Sequence, residues 1–327
     1  MIHRLRSAGR SALGPLAIAL LCAACSGKNS EPEAADQPFQ SLEVVSSSSD
    51  SGGAFVHPLA AVPLDASRTV FLAFRPDEAD EHLVPALFLV DDGELSLLHS
   101  GDLAQPVDVV FDGERLLVAD VAGGEGGGLQ TFSEDGSPGE LLAQGFAPVS
   151  LAVDDQSQVY FSGRDPESGD LGVFRLTKRG DVEPLYVGAP LVDPSGIAPL
   201  SDGRVLIADT SFAGEQSAVL LLSEGELSVF ASNLRSGFPA GIALNAAEDA
   251  LIVSAEDDAH HDVVNVIGIA RSKNGSLVAR GGQQVSSVFS DVSDSSGGLH
   301  PELQNPRHLT WCSTSKDDGT IYRVETF

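Results

Sequence analysis

Cysteine, positive charge and long apolar runs are all scarce in this chain. Its 327 residues hold three cysteines, one methionine and one tryptophan, and 19 Lys and Arg stand against 47 Asp and Glu. Cys22 and Cys25 lie in an N-terminal segment that reads as a signal, which leaves Cys312 alone in the folded part. That excludes an internal disulfide, so burial must hold the fold. A lone thiol of this kind reads as a small buried apolar residue rather than a nucleophile. The formal net charge is −28, and loss of the signal arginines Arg4, Arg6 and Arg10 takes it to −31. A field of that sign excludes nucleic acid and anionic lipid as partners and favours cations and solubility. Apolar content is still 42%, aromatic content only 6%, and the 34 Gly and 18 Pro suit many short strands joined by turns.

The one long apolar run, Leu13–Leu21, follows the basic residues and precedes Ala23, Ala24 and Cys25. It is too short to span a bilayer and is flanked like a secretory signal. The text LCAAC resembles a bacterial lipoprotein signal, with Cys22 where an aliphatic residue is usual. The resemblance implies cleavage before Cys25, lipidation of Cys25 and a membrane link through that lipid alone. An ordinary cleaved signal peptide is the alternative. Ser26, not Asp, follows the cysteine, which by the same analogy points to the outer membrane. Residues 26–53 are polar and Ser-rich and read as a tether, interrupted by the strand-like Phe39–Ser46.

From Ala54 onward the chain repeats. Pro194–Phe230 contains four apolar runs of four to six residues, separated by Ser201-Asp202-Gly203, a longer loop and Glu224-Gly225. Such runs are strands in an antiparallel meander. The opening prolines 106, 148, 194 and 239 are spaced 42, 46 and 45 residues apart. Four strands at that period predict an all-β, six-bladed β-propeller. The blades are expected at about 54–105, 106–147, 148–193, 194–238, 239–285 and 286–327. In the last, Asn305–Trp311 is read as the inner strand, Cys312–Asp318 stands where the second should be, and Gly319–Glu325 supplies the third. The missing fourth strand leaves an open edge, which Phe39–Ser46 is the right length to cover, closing the ring.

The text P-x-G-I-A-x-x-x-D-G-x-[LV]-x-I-A-D of Pro194–Asp209 resembles the repeat of NHL-type propellers and of the SMP-30/gluconolactonase superfamily. The resemblance extends, with falling fidelity, over Ala54–Phe327. It implies the fold; the scaffold hosts lactonases, lyases and binding domains alike.

Ligand sites on such a ring are expected at the loops joining strands two and three. These loops together hold 15 Asp or Glu against two Arg, an arrangement suited to a cation, Ca²⁺ first. Glu256–Asp262 is the densest cluster and, with His260 and His261, could suit Zn²⁺. Gly123–Gly128 lacks the Lys and Ser/Thr of a phosphate loop and reads as a turn. By the resemblance, metal ligands stand just after the opening Pro of certain inner strands. Here those positions hold Val107, Val149, Ser195, Ala240 and Arg307, then Asp108, Ser150, Gly196, Gly241 and His308. The candidate ligands are therefore His57, Asp108, His308, Asp209 and Glu256. Asp209, like Asp120, also reads as a cap on its loop. No catalytic residue and no organic cofactor can be named. Two functions follow: a monomeric envelope binding module for a protein, glycan or small molecule, or a metal-dependent hydrolase or lyase acting on a small molecule at the channel mouth.

Overall fold

The computed structural model describes residues 39–77, 82–212, 217–234, 240–256, 262–285, 295–314 and 319–326. They belong to one compact unit, Gln37–Phe327. Twenty-four strands form six four-stranded antiparallel sheets. β1 (Phe39–Ser47) stands apart in sequence. The first blade is β2 (Val56–Pro63), β3 (Arg68–Pro76), β4 (Leu83–Asp91) and β5 (Glu94–Ser100). The second is β6 (Pro106–Phe111), β7 (Leu116–Asp120), β8 (Gly128–Phe132) and β9 (Pro138–Leu142). The third is β10 (Ser150–Val153), β11 (Val159–Arg164), β12 (Leu171–Leu176) and β13 (Val182–Val187). The fourth is β14 (Pro194–Pro199), β15 (Val205–Asp209), β16 (Ser217–Ser223) and β17 (Glu226–Leu234). The fifth is β18 (Ile242–Leu244), β19 (Ala250–Glu256), β20 (Asp262–Arg271) and β21 (Leu277–Val285). The sixth runs β22 (Ser295–Pro301), β23 (His308–Thr314), β24 (Gly319–Thr326), and its outer strand is β1.

The hydrophobic core is six cores, one at each blade interface. Val62, Leu72 and Leu87 of the first blade meet Val109, Leu116 and Phe132 of the second. The same pattern repeats around the ring to Phe55, Phe71 and Phe88, which pack on Cys312 and Ile321 between the sixth blade and the first. Strands buried on both faces read as continuous apolar text, as VFLAF and VLLLS do here. Burying one such Leu or Phe contributes about 1.5–3 kcal/mol, and no interface needs a disulfide. Cys312 is fully buried, packed with Phe55, Phe71 and Ile321.

The turns from strand one to strand two explain the recurring Asp. Asp112 Oδ1 accepts the N–H groups of Glu114 and Arg115, and Asp154 Oδ1 those of Gln156 and Gln158. Asp65 and Asn245 do the same in their blades. Each side chain satisfies amides that the reversal takes out of the ladder.

Ring closure follows the sequence expectation. β1 pairs antiparallel with β24 from Phe39 opposite Thr326 to Ser47 opposite Thr320. The Ser-rich text beyond it is folded, not a tether. Ser47 and Ser48 are buried, the Ser48 amide donates to Gly319 O, and Gly319 N–H returns a bond to Ser48 Oγ. A Cβ on Gly319 would lie 2.2 Å from Pro58 Cδ, so only glycine fits that seam.

The sixth blade corrects the sequence reading. Its inner strand is Ser295–Pro301, and the segment expected there, Asn305–Trp311, leads into the second strand. The register error is one whole strand. It arose because SSGGLHP offers little apolar text, whereas HLTW alternates strongly.

Candidate functional site

The inner strands β2, β6, β10, β14, β18 and β22 line the axis of the ring. Near the opening of β6, Asp108 is 2% exposed and points across that axis. Its Oδ2 accepts the Leu151 amide from β10 at 2.7 Å, and its Oδ1 accepts the Val109 amide at 2.9 Å. Oδ1 also pairs with His300 Nε2 of β22 at 2.7 Å. One carboxylate thus ties the second blade to the third and the sixth. Gly298 makes the tie possible, because a Cβ there would stand 2.8 Å from His300 Nε2 and 3.1 Å from Asp108 Oδ1. The space left around this tie is about 10 Å³, lined also by Ser150, Ser195 and Gly241.

Of the four metal candidates whose side chains are described, His57, Asp108, Asp209 and His308, none joins another at one site. Asp108 meets His300, a residue missed from the sequence because its strand was placed wrongly. His308 lies on β23, where its Nδ1 pairs with Glu302 Oε2 at 2.8 Å and Asn305 lies alongside. Asp209 is fully buried and accepts the Val192 and Asp193 amides at 2.8 and 3.0 Å. Asp120 holds Ala104 and Gln105 in the same way at 2.7 and 2.8 Å. Both aspartates clamp the loop that enters their own blade, and each also caps the loop that follows through Ser211 or Ala122. His57 is exposed on β2 in a left-handed conformation, φ 47°. Glu256 ends β19; residues 257–261 of its cluster lie outside the described residues. Gly196 holds a would-be ligand position for a steric reason, since a Cβ would sit 2.3 Å from Ala240 O. Among the described residues, no three or more His, Cys, Asp or Glu come together as a metal cage. The donor set therefore does not fit a resident metal ion there.

A cavity of about 370 Å³ opens at the other end of the ring, where the strand one to strand two turns lie. Its walls are the ends of β10, β14, β18 and β22, among them Val153, Ile197, Ile242 and Leu299. His300 lines both this cavity and the axial space, so the Asp108 tie stands at the cavity floor. Asp154, Asp155 and Glu248 stand at its rim. Asp154 Oδ2 accepts the Tyr160 hydroxyl at 3.1 Å; burial first, then this carboxylate, pushes the Tyr160 phenol up. Glu248 accepts the Ser201 amide and pairs with Arg271 at 2.8 Å.

No protein-family model and no curated protein sequence matches the chain. Solved structures do. A Thermus thermophilus protein described as an oxidoreductase of glucose dehydrogenase type superposes with a TM-score of 0.61 at 12% identity, over 87% of this chain and 99% of that one. Calcium-binding regucalcin of Agrobacterium tumefaciens gives 0.54 at 13%, over 88% and 94%. A protein described as a gluconolactonase gives 0.54 at 18%, over 87% and 91%. The chain is a six-bladed β-propeller. At these identities the likeness is one of fold, and this propeller shares a scaffold with proteins of quite different chemistry.

Proposed function

We propose that the protein is an exported propeller, lipid-anchored through Cys25, that works as a binding module. Its ligand enters the cavity at the strand one to strand two end. The observation that carries this reading is the state of Asp108. It is a buried carboxylate just after an opening Pro, where the resemblance to lactonases implies metal ligands, and both its oxygens are already bonded within the protein. Recruiting it to a metal would break the tie between three blades and leave His300 unpartnered in a buried place. The cavity has the opposite character, with apolar walls, a few convergent polar groups and a volume in the range of small-molecule sites. The alternative, metal-dependent hydrolysis of a lactone or ester, is supported by the shared fold and needs a ligand set that the described residues do not assemble.

Elemental analysis of the purified full-length protein, beside assays with lactones and esters, tests the choice. Substoichiometric metal and no turnover are expected. A stoichiometric divalent ion lost in Asp108→Asn, together with turnover, would establish the enzyme. The anchor is tested separately: Cys25→Ser should move the protein from the membrane fraction to the soluble exported fraction, and unchanged fractionation would sink the lipid assignment.

A further inference from the structure

We infer that the cavity takes an organic ammonium, an apolar body carrying one protonated amine. The inference rests on the binding-module reading and deepens it. It begins at the cavity floor. His300 is 5% exposed, and its Nε2 is committed to the Asp108 carboxylate at 2.7 Å. A carboxylate only accepts, so Nε2 donates to it, and in the neutral imidazole Nδ1 then carries a lone pair. Nδ1 has no partner among the described residues. An acceptor left open at the wall of an apolar cavity has an obvious complement, an N–H brought in by a ligand.

Charge selects the kind of N–H. The rim brings Asp154, Asp155 and Glu248, and no Lys or Arg is among the lining residues. Arg271 answers Glu248, which leaves two aspartates uncompensated at the mouth. Asp154 is braced by the Gln156 and Gln158 amides and the Tyr160 hydroxyl, so its charge holds a fixed place, while Asp155 beside it is exposed. Low-dielectric walls of Val153, Ile197, Pro199, Ile242, Leu244 and Leu299 concentrate that field in the cavity. An anion is repelled at the mouth. A neutral apolar molecule gains from the walls alone, whereas an ammonium gains from walls, rim and Nδ1 together.

The test uses the full-length protein with methyl-labelled Ile and Leu and three probes of one shape: benzylammonium, benzyl alcohol and benzoate. Benzylammonium should shift the Ile197, Ile242 and Leu299 methyl signals saturably, at least tenfold more tightly than benzyl alcohol, and benzoate should not bind. Ala247→Phe, on an exposed wall residue, should abolish the shifts. Asp155→Asn should weaken benzylammonium about 2- to 5-fold, the range of one exposed charge. His300→Phe should narrow the preference for ammonium over alcohol, with the rim carboxylates keeping the remainder. Equal or tighter binding of benzyl alcohol or benzoate would overturn the ammonium assignment while leaving the cavity as the binding site. Silence of the cavity methyls to all three probes would remove the site itself. Shifts that survive Ala247→Phe would place the binding elsewhere.

Discussion

A fully buried carboxylate is a burden unless it is bonded, and Asp209 shows how the chain uses one. Its oxygens hold the amides of Val192 and Asp193, which fixes the entry of β14 at the axis. Hydrogen bonds to a charged group are each worth about 1.5–3 kcal/mol. With two such bonds, Asp209→Ala should lose about 3–6 kcal/mol in urea unfolding, with Asp209→Asn milder because one acceptor remains. Exposed carboxylates act differently. Burial pushes Asp65 up, but the Arg68 guanidinium at 2.7 Å and the Ser67 and Arg68 amides more than offset it, leaving its pKa at about 2. Arg204 holds Asp202 well below the usual carboxylate range, against burial and with help from Arg271. Both groups are lowered by folding, so their stabilisation is present above the unfolded value of 3.8 and is lost as pH falls toward 2. The melting midpoint should drop across that window, and Asp202→Asn should flatten the drop. The two sites are largely solvated, so the slope will be shallow.

At the scale of the element, legibility tracked apolar text. Blades two to four announce themselves through an opening Pro, a turn aspartate and a run such as VLIAD, and blade five puts Asn245 in the turn instead. The β22 strand does not announce itself. Gly298 is there to clear Asp108 and His300, and that requirement interrupts the apolar alternation that marks strands elsewhere. Asp108 was legible as a candidate, but its partner was not, because the partner stands on the strand that was misplaced. The cavity was not legible at all, since it is formed by the ends of four strands from four blades. β1, by contrast, was legible from topology, as a spare strand facing an open edge. Deleting residues 39–47 should leave the outer edge of β24 unpaired and Val324 and Tyr322 less covered. The truncated protein should melt lower and self-associate in size-exclusion chromatography. A monomer with an unchanged midpoint would show that the closing strand is dispensable.

The whole molecule carries a formal charge of −28 on a ring held by apolar wedges. Self-repulsion at that level opposes compactness, and salt screens it. The melting midpoint should rise by several degrees between 20 and 300 mM NaCl, with KCl equivalent; a flat profile would mean the carboxylates are already compensated locally. The ring has a further property that belongs to time. The ladder that completes it sets β1 on β24, with Ser41 opposite Glu325, 284 residues apart. At ribosomal rates of roughly 5–20 residues per second, about 15 to 60 seconds separate the emergence of the two partners. Through that interval β1 has no mate, and the first blade lacks the neighbour that covers Phe55, Phe71 and Phe88. The chain can collect blades as it is made, but it cannot lock until its last few residues arrive.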